Sequence, residues 1–148
     1  MKIPRTLGSR SFIRRNFLFF SVYRSKIWSA SSINDAAMAL YGREKFSTLQ
    51  KSEEIEIIVP KGSILDRDNI IIGVSSRIKS NTVAIFQDAN PQSLVAVFYV
   101  HEGSIVAYEL TIRMEFKGTL FAVVEDLNGN LYYTRAYVDV LTMSCMAW

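Results

Sequence analysis

From residue 95 to 141 apolar and polar side chains alternate almost without a break, interrupted where a residue is followed by glycine: Glu102-Gly103, Lys117-Gly118 and Asn128-Gly129. A period of two marks a half-buried strand, and glycine in a tight turn supplies the positive φ that a two-residue hairpin loop needs. The pattern predicts a C-terminal meander of four antiparallel strands. With two-residue turns, Val100 pairs with Ile105, Phe116 with Thr119, and Leu127 with Asn130. Val106, Tyr108, Leu110, Ile112, Met114, Phe121, Val123, Tyr132, Ala136 and Val138 then share an apolar face with Val95, Val97, Tyr99 and Phe116, and something must cover it. The opposite face is mixed, with Arg113 on one strand, Leu120, Ala122 and Val124 on the next, and Leu131, Tyr133, Arg135 and Tyr137 on the last.

Upstream, the pattern predicts a helix starting at Ser32. Ser32 is a good N-cap, Asp35 suits the positive end of the helix dipole, and Ala36 to Leu40 are strong helix formers. Gly42 weakens a helix that otherwise runs to about Lys51. Glu54 to Val59 alternates as a strand ended by Pro60, and Ile70 to Ile72 and Thr82 to Phe86 read as further short strands. The expected fold class is α+β: an N-terminal basic arm and one helix, then a predominantly antiparallel β-sheet or partly closed barrel. Residues 1–30 form the arm and 31–148 a single domain.

Charge divides the chain the same way. It has 17 basic and 14 acidic residues, a net +3. Lys2, Arg5, Arg10, Arg14, Arg15, Arg24 and Lys26 all precede the first acidic residue, Asp35, so the remainder is acidic, with ten cations against fourteen anions. Basic side chains interleaved with Phe12, Phe17, Phe19, Phe20, Tyr23 and Trp28 suit nucleic acid, cations meeting phosphate while rings stack on bases. The same composition suits an anionic membrane surface, or an Arg- and Ser-rich transit peptide, which would place a eukaryotic protein in the mitochondrion. An arm that buries its aromatics on its own domain or on a partner is the plainest alternative. The apolar run 17–23 is too short to span a bilayer, and an intracellular location is expected.

On the mixed sheet face, Arg113 and Arg135 flank Ala122, with Tyr133 and Tyr137 on either side of Arg135. Rings and guanidinium groups around a small residue make a surface suited to single-stranded RNA or DNA. These four residues and the basic arm predict a non-enzymatic binding or assembly protein that contacts nucleic acid or a nucleoprotein complex. The alternative is enzymatic: His101 and Glu102 as an acid-base pair, with an arginine to stabilise a pentacoordinate phosphate. A helix followed by a four-stranded antiparallel meander resembles, in outline, the sheet of small bacterial toxin ribonucleases. Residues 60–69 resemble a segment of the non-catalytic pedestal of penicillin-binding proteins, and Ser76-Arg77-Ile78-Lys79 has the Ser-x-x-Lys form of their nucleophile; the chain is too short for a transpeptidase domain. One histidine and one cysteine, far apart, give no metal-ligand spacing, and no cofactor is expected. Cys145, the only cysteine, has no internal disulfide partner.

Overall fold

A computed structural model describes residues 27–141. Nine strands build it: β1 (Gln50–Lys51), β2 (Ile55–Ile58), β3 (Ser63–Ile64), β4 (Ile70–Ser76), β5 (Ser80–Gln87), β6 (Leu94–Tyr99), β7 (Val106–Ile112), β8 (Gly118–Asp126) and β9 (Leu131–Val140). They form two packed sheets. The larger runs β1-β9-β8-β5-β6, with β3 also pairing β9, and the smaller runs β2-β4-β7.

The expected α+β class is therefore corrected. Among the described residues strand accounts for 48% and helix for only 14%, and they form a β-sandwich with a thin helical layer. The meander is corrected as well. Of the four strands from β6 to β9, only β8 and β9 pair with each other; β6 pairs with β5 and β7 with β4. Two of the three glycine turns carry the chain from one sheet to the other. Gly103 has φ +79° and ends a turn in which the Ser104 N–H donates to the His101 carbonyl at 2.9 Å. Gly118 has a different role: a Cβ there would collide with the Asp88 carboxylate and lie 3.1 Å from Ala89 Cβ.

The β8–β9 hairpin shows why the predicted face fails. Asp126 and Asn130 close it, through Asp126 N–H to Asn130 carbonyl at 2.9 Å and Gly129 N–H to Asp126 carbonyl at 3.2 Å. Gly129, at φ +88°, ends a three-residue loop of the bulged type. Glu125 thus pairs with Leu131 and Phe121 with Arg135, one residue away from the two-residue register. Such a slip turns every β8 side chain to the other face.

Burial follows from the layers. Between the sheets, Ile70, Ile72, Val74, Val106, Ile112 and Met114 of the smaller side meet Val83, Ile85, Leu120, Ala122, Val124, Val138 and Val140 of the larger. On the outer face of the larger sheet, Ala84, Phe86, Leu94, Val123 and Leu131 pack against Ile27, Ala36 and Ala37. The larger sheet is covered on both sides, so β5 and β8 are continuous apolar runs, whereas β7 alternates because its outer face meets water.

The helical layer is short. Ser32 caps the Ile33–Tyr41 helix by accepting from the Asp35 N–H at 3.0 Å, and Gly42, at φ +88°, breaks it from a single turn at Arg43–Phe46. A buried polar chain fastens this layer to the sheet. Glu125, 5% exposed, takes the Lys45 ammonium on one carboxylate oxygen and the Thr82 hydroxyl on the other at 3.1 Å, and the Tyr41 hydroxyl meets Thr82 Oγ1 at 2.9 Å. Burial holds the Tyr41 phenol well above its ordinary range, with the Glu125 charge adding to the effect and the Thr82 hydrogen bond opposing it.

Candidate functional site

Of the four sheet residues predicted to share one surface, Tyr133, Arg135 and Tyr137 alternate along one face of β9, and Arg113 is apart from them. Arg113 lies beyond the end of β7, and its Nε pairs with Asp68 Oδ1 at 2.8 Å, both side chains more than half exposed. Tyr133 is half-buried beside Phe121, ring centroids 6.5 Å apart, within the cluster under the helical layer. Arg135 and Tyr137 lie further along β9 in solvent. Ala122, the expected floor between the arginines, faces the sandwich interior. Arg5, Arg10, Arg14, Arg15, Arg24 and Lys26 lie outside the described residues.

The sandwich has two ends, and each carries a feature of its own. At the first, β9 finishes and the chain continues into 142–148, the segment that holds Cys145. The end of β9 is tied down. Pro60 ends the β2 alternation, and Gly62, at φ +78°, turns the chain so that β3 lies parallel to β9, Ser63 beside Asp139 and Ile64 beside Val140. The Ser63 hydroxyl donates to the Asp139 carboxylate at 2.7 Å, and the Leu141 N–H donates to the Ile64 carbonyl at 3.0 Å. Cys145 is four residues past this anchored point, within about 14 Å along an extended chain. Leu65 is 68% exposed, Tyr137 57% and Leu141 39%. The platform from which the thiol-bearing segment starts therefore has apolar surface open to contact.

At the other end, the β4–β5, β6–β7 and β8–β9 loops enclose a cleft of about 900 Å³. It contains Arg77 and Lys79 from the first loop, His101 and Glu102 from the second, and Leu127 from the third. Ser76-Arg77-Ile78-Lys79 is thus a turn segment: the Ser76 hydroxyl accepts the Ile78 N–H at 3.0 Å, and the Ser80 hydroxyl donates to the Ile78 carbonyl. His101 is exposed, with Nδ1 3.2 Å from the Glu102 carbonyl. Neither predicted phosphate-binding arginine lines this cleft, so the acid-base pair and its cation are not brought together.

Among the described residues no group of three or more His, Cys, Asp and Glu is placed to hold a metal, and no helix is long and apolar enough to cross a membrane. The sequence singled out Cys145 only as a residue without a disulfide partner. A lone cysteine beyond the last strand was the available signal, and it had no meaning until the fold was known.

The fold has counterparts among known proteins. The model of the family described as sulfur oxidation protein SoxY matches residues 38–145. The structure of the sulfur carrier protein SoxY from Chlorobium limicola f. thiosulfatophilum is similar at a TM-score of 0.66 and 28% identity, over 80% of this chain and 99% of that one. A superoxide reductase, neelaredoxin from Ignicoccus hospitalis, matches at a TM-score of 0.53 and 12% identity, over 60% of this chain and 81% of that one, a likeness of fold alone. No curated protein matches the chain. These findings identify the sandwich as immunoglobulin-like. They overturn the expectation of a nucleic-acid-contacting binding or assembly protein, together with its ribonuclease-like and organelle-targeted or membrane-surface alternatives. RNA binding and a nucleic-acid or nucleoprotein partner go with it. The arm residues on which nucleic acid and membrane contact rested also precede the matched segment. With nearly three quarters of its residues matched, the chain belongs to the SoxY family of sulfur oxidation proteins.

Proposed function

We propose that this protein is a sulfur carrier and that Cys145 is the residue to which sulfur is attached. The observation that carries the reading is the likeness to a SoxY described as a sulfur carrier protein, spanning 99% of that chain. A carrier must hold its cargo covalently while it moves between sites. For sulfur the suitable protein group is a thiolate, which forms an S–S bond that a second nucleophile can later break. The chain has one cysteine. No second thiol in the same chain competes to expel the cargo as an internal disulfide.

The β3 clamp supports the same reading. It fixes the chain at Leu141, so that the segment carrying Cys145 starts from a defined point on a rigid sandwich. The exposed Leu65, Tyr137 and Leu141 around that point offer apolar surface to proteins that load or unload the thiol. The partners in this reading are proteins of sulfur oxidation.

Loading can be tested with inorganic polysulfide. The Cys145 thiolate attacks a terminal sulfur, one S–S bond of the polysulfide breaks, a new one forms to the cysteine, and the shortened polysulfide leaves with the electron pair. Intact-protein mass spectrometry is expected to show added mass in whole sulfur atoms, reversed by a thiol reductant and absent from Cys145→Ser. Equal labelling of the serine variant would sink the reading.

A further inference from the structure

The cleft at the far end of the sandwich has no part in that chemistry. β9 runs the length of the larger sheet, its ten residues starting beside the cleft at Leu131 and ending at Val140. The cleft and the anchor at Leu141 are therefore on the order of 30 Å apart. Cys145 is at most about 14 Å from its anchor, so the thiol does not reach the cleft of its own chain.

The cleft is locally cationic on an acidic body. The described ion pairs occupy Lys45 with Glu125 and Arg113 with Asp68. Arg77 and Lys79, two residues apart on one exposed turn, take part in neither. His101 adds a ring nitrogen that can donate a hydrogen bond, and Glu102 is the single carboxylate in the lining. Beside these polar groups are apolar side chains that a soluble loop does not need to expose: Ile105 is 83% exposed and Leu127 60%. Ile78 is half-buried between the two cations. At about 900 Å³ the cleft falls within the roughly 300–1,000 Å³ typical of small-ligand sites.

Cations beside apolar walls select a ligand that is charged at its ends and apolar between them. We propose that this cleft is a noncovalent site for a polysulfur anion, whose negative ends meet Arg77 and Lys79 while its sulfur chain lies against Ile78, Ile105 and Leu127. The choice of sulfur over other anionic chains rests on the sulfur-carrier reading, and it gives the protein a place to hold sulfur compounds apart from its thiol.

Tetrathionate is a chemically defined probe, and the Cys145→Ser protein cannot react with it. Isothermal titration calorimetry of that protein is expected to show saturable binding that weakens with added salt. The further substitutions Arg77→Ala and Lys79→Ala, both at exposed positions, are expected to weaken it about tenfold or more. Sulfate tests charge without an apolar chain, and hexanoate tests a chain without sulfur. No saturable binding, unchanged binding in the Arg77/Lys79 variant, or binding of either reference anion as tight as tetrathionate would overturn the proposal. With Cys145 restored, the Arg77/Lys79 variant is expected to load from polysulfide as the native protein does, and loss of loading would overturn the separation of the two sites. Failure of Cys145 to load in both proteins would defeat the carrier reading and with it the choice of sulfur, while the titration still decides whether the cleft binds anions.

Discussion

Tyr41 shows how one side chain can make the whole fold sensitive to pH. Burial disfavours its phenolate and the nearby Glu125 charge adds to this, outweighing the opposing hydrogen bond with Thr82, so the folded state favours the neutral phenol and its pKa is raised above the ordinary 10.0. Below pH 10.0 both folded and unfolded phenols are protonated, and the contribution is fully present. As pH rises past 10.0 the unfolded chain ionises first, so stability falls by at most about 1.4 kcal/mol per pH unit. Urea unfolding on both sides of that value is expected to show a steeper alkaline loss in the native protein than in Tyr41→Phe. Gly118 constrains the fold by space. A methyl group there meets the Asp88 carboxylate, which also accepts the Thr119 N–H at 2.7 Å. Gly118→Ala is expected to cost about 1–3 kcal/mol as overpacking, read as a lower denaturation midpoint.

Among the elements, the β8–β9 hairpin is the most informative. Asp126 Oδ1 accepts from the Asn128 N–H at 2.9 Å and the Asn130 N–H at 2.8 Å, which sets the three-residue loop. Asp126→Ala leaves two turn donors to water and is expected to destabilise the protein by about 1–2 kcal/mol, measurable by thermal unfolding. Much of this level could be read from the sequence. Ser32 caps the helix where expected, and Val106, Tyr108, Leu110, Ile112 and Met114 share the inner side of the smaller sheet as their alternation predicts. Pairing could not be read, because an x-Gly turn looks the same whether it closes a hairpin or crosses between sheets. A clue to the sandwich was nevertheless present. The runs Val83-Ala84-Ile85-Phe86 and Leu120-Phe121-Ala122-Val123-Val124 are apolar at every position, as strands covered on both faces must be. A single-sided meander leaves half of those side chains in water. The candidate site was less legible still, because it depends on which loops the topology brings to one end, and no local pattern encodes that.

For the molecule as a whole, sulfur chemistry and sulfur binding are assigned to opposite ends of a sandwich whose core does not take part in either. A substitution in the cleft should therefore leave the thiol end alone, and one near Leu141 should leave the cleft alone, consistent with the general independence of distant sites. The attachment of β9 has a mechanical side. Its hydrogen bonds to β8 along most of its length, and to β1 and β3 near its two ends, lie across the strand direction. A pull directed along β9 loads those bonds together in shear rather than peeling them one at a time. Partners that grip the cargo can tug in that direction without unzipping the strand that anchors it.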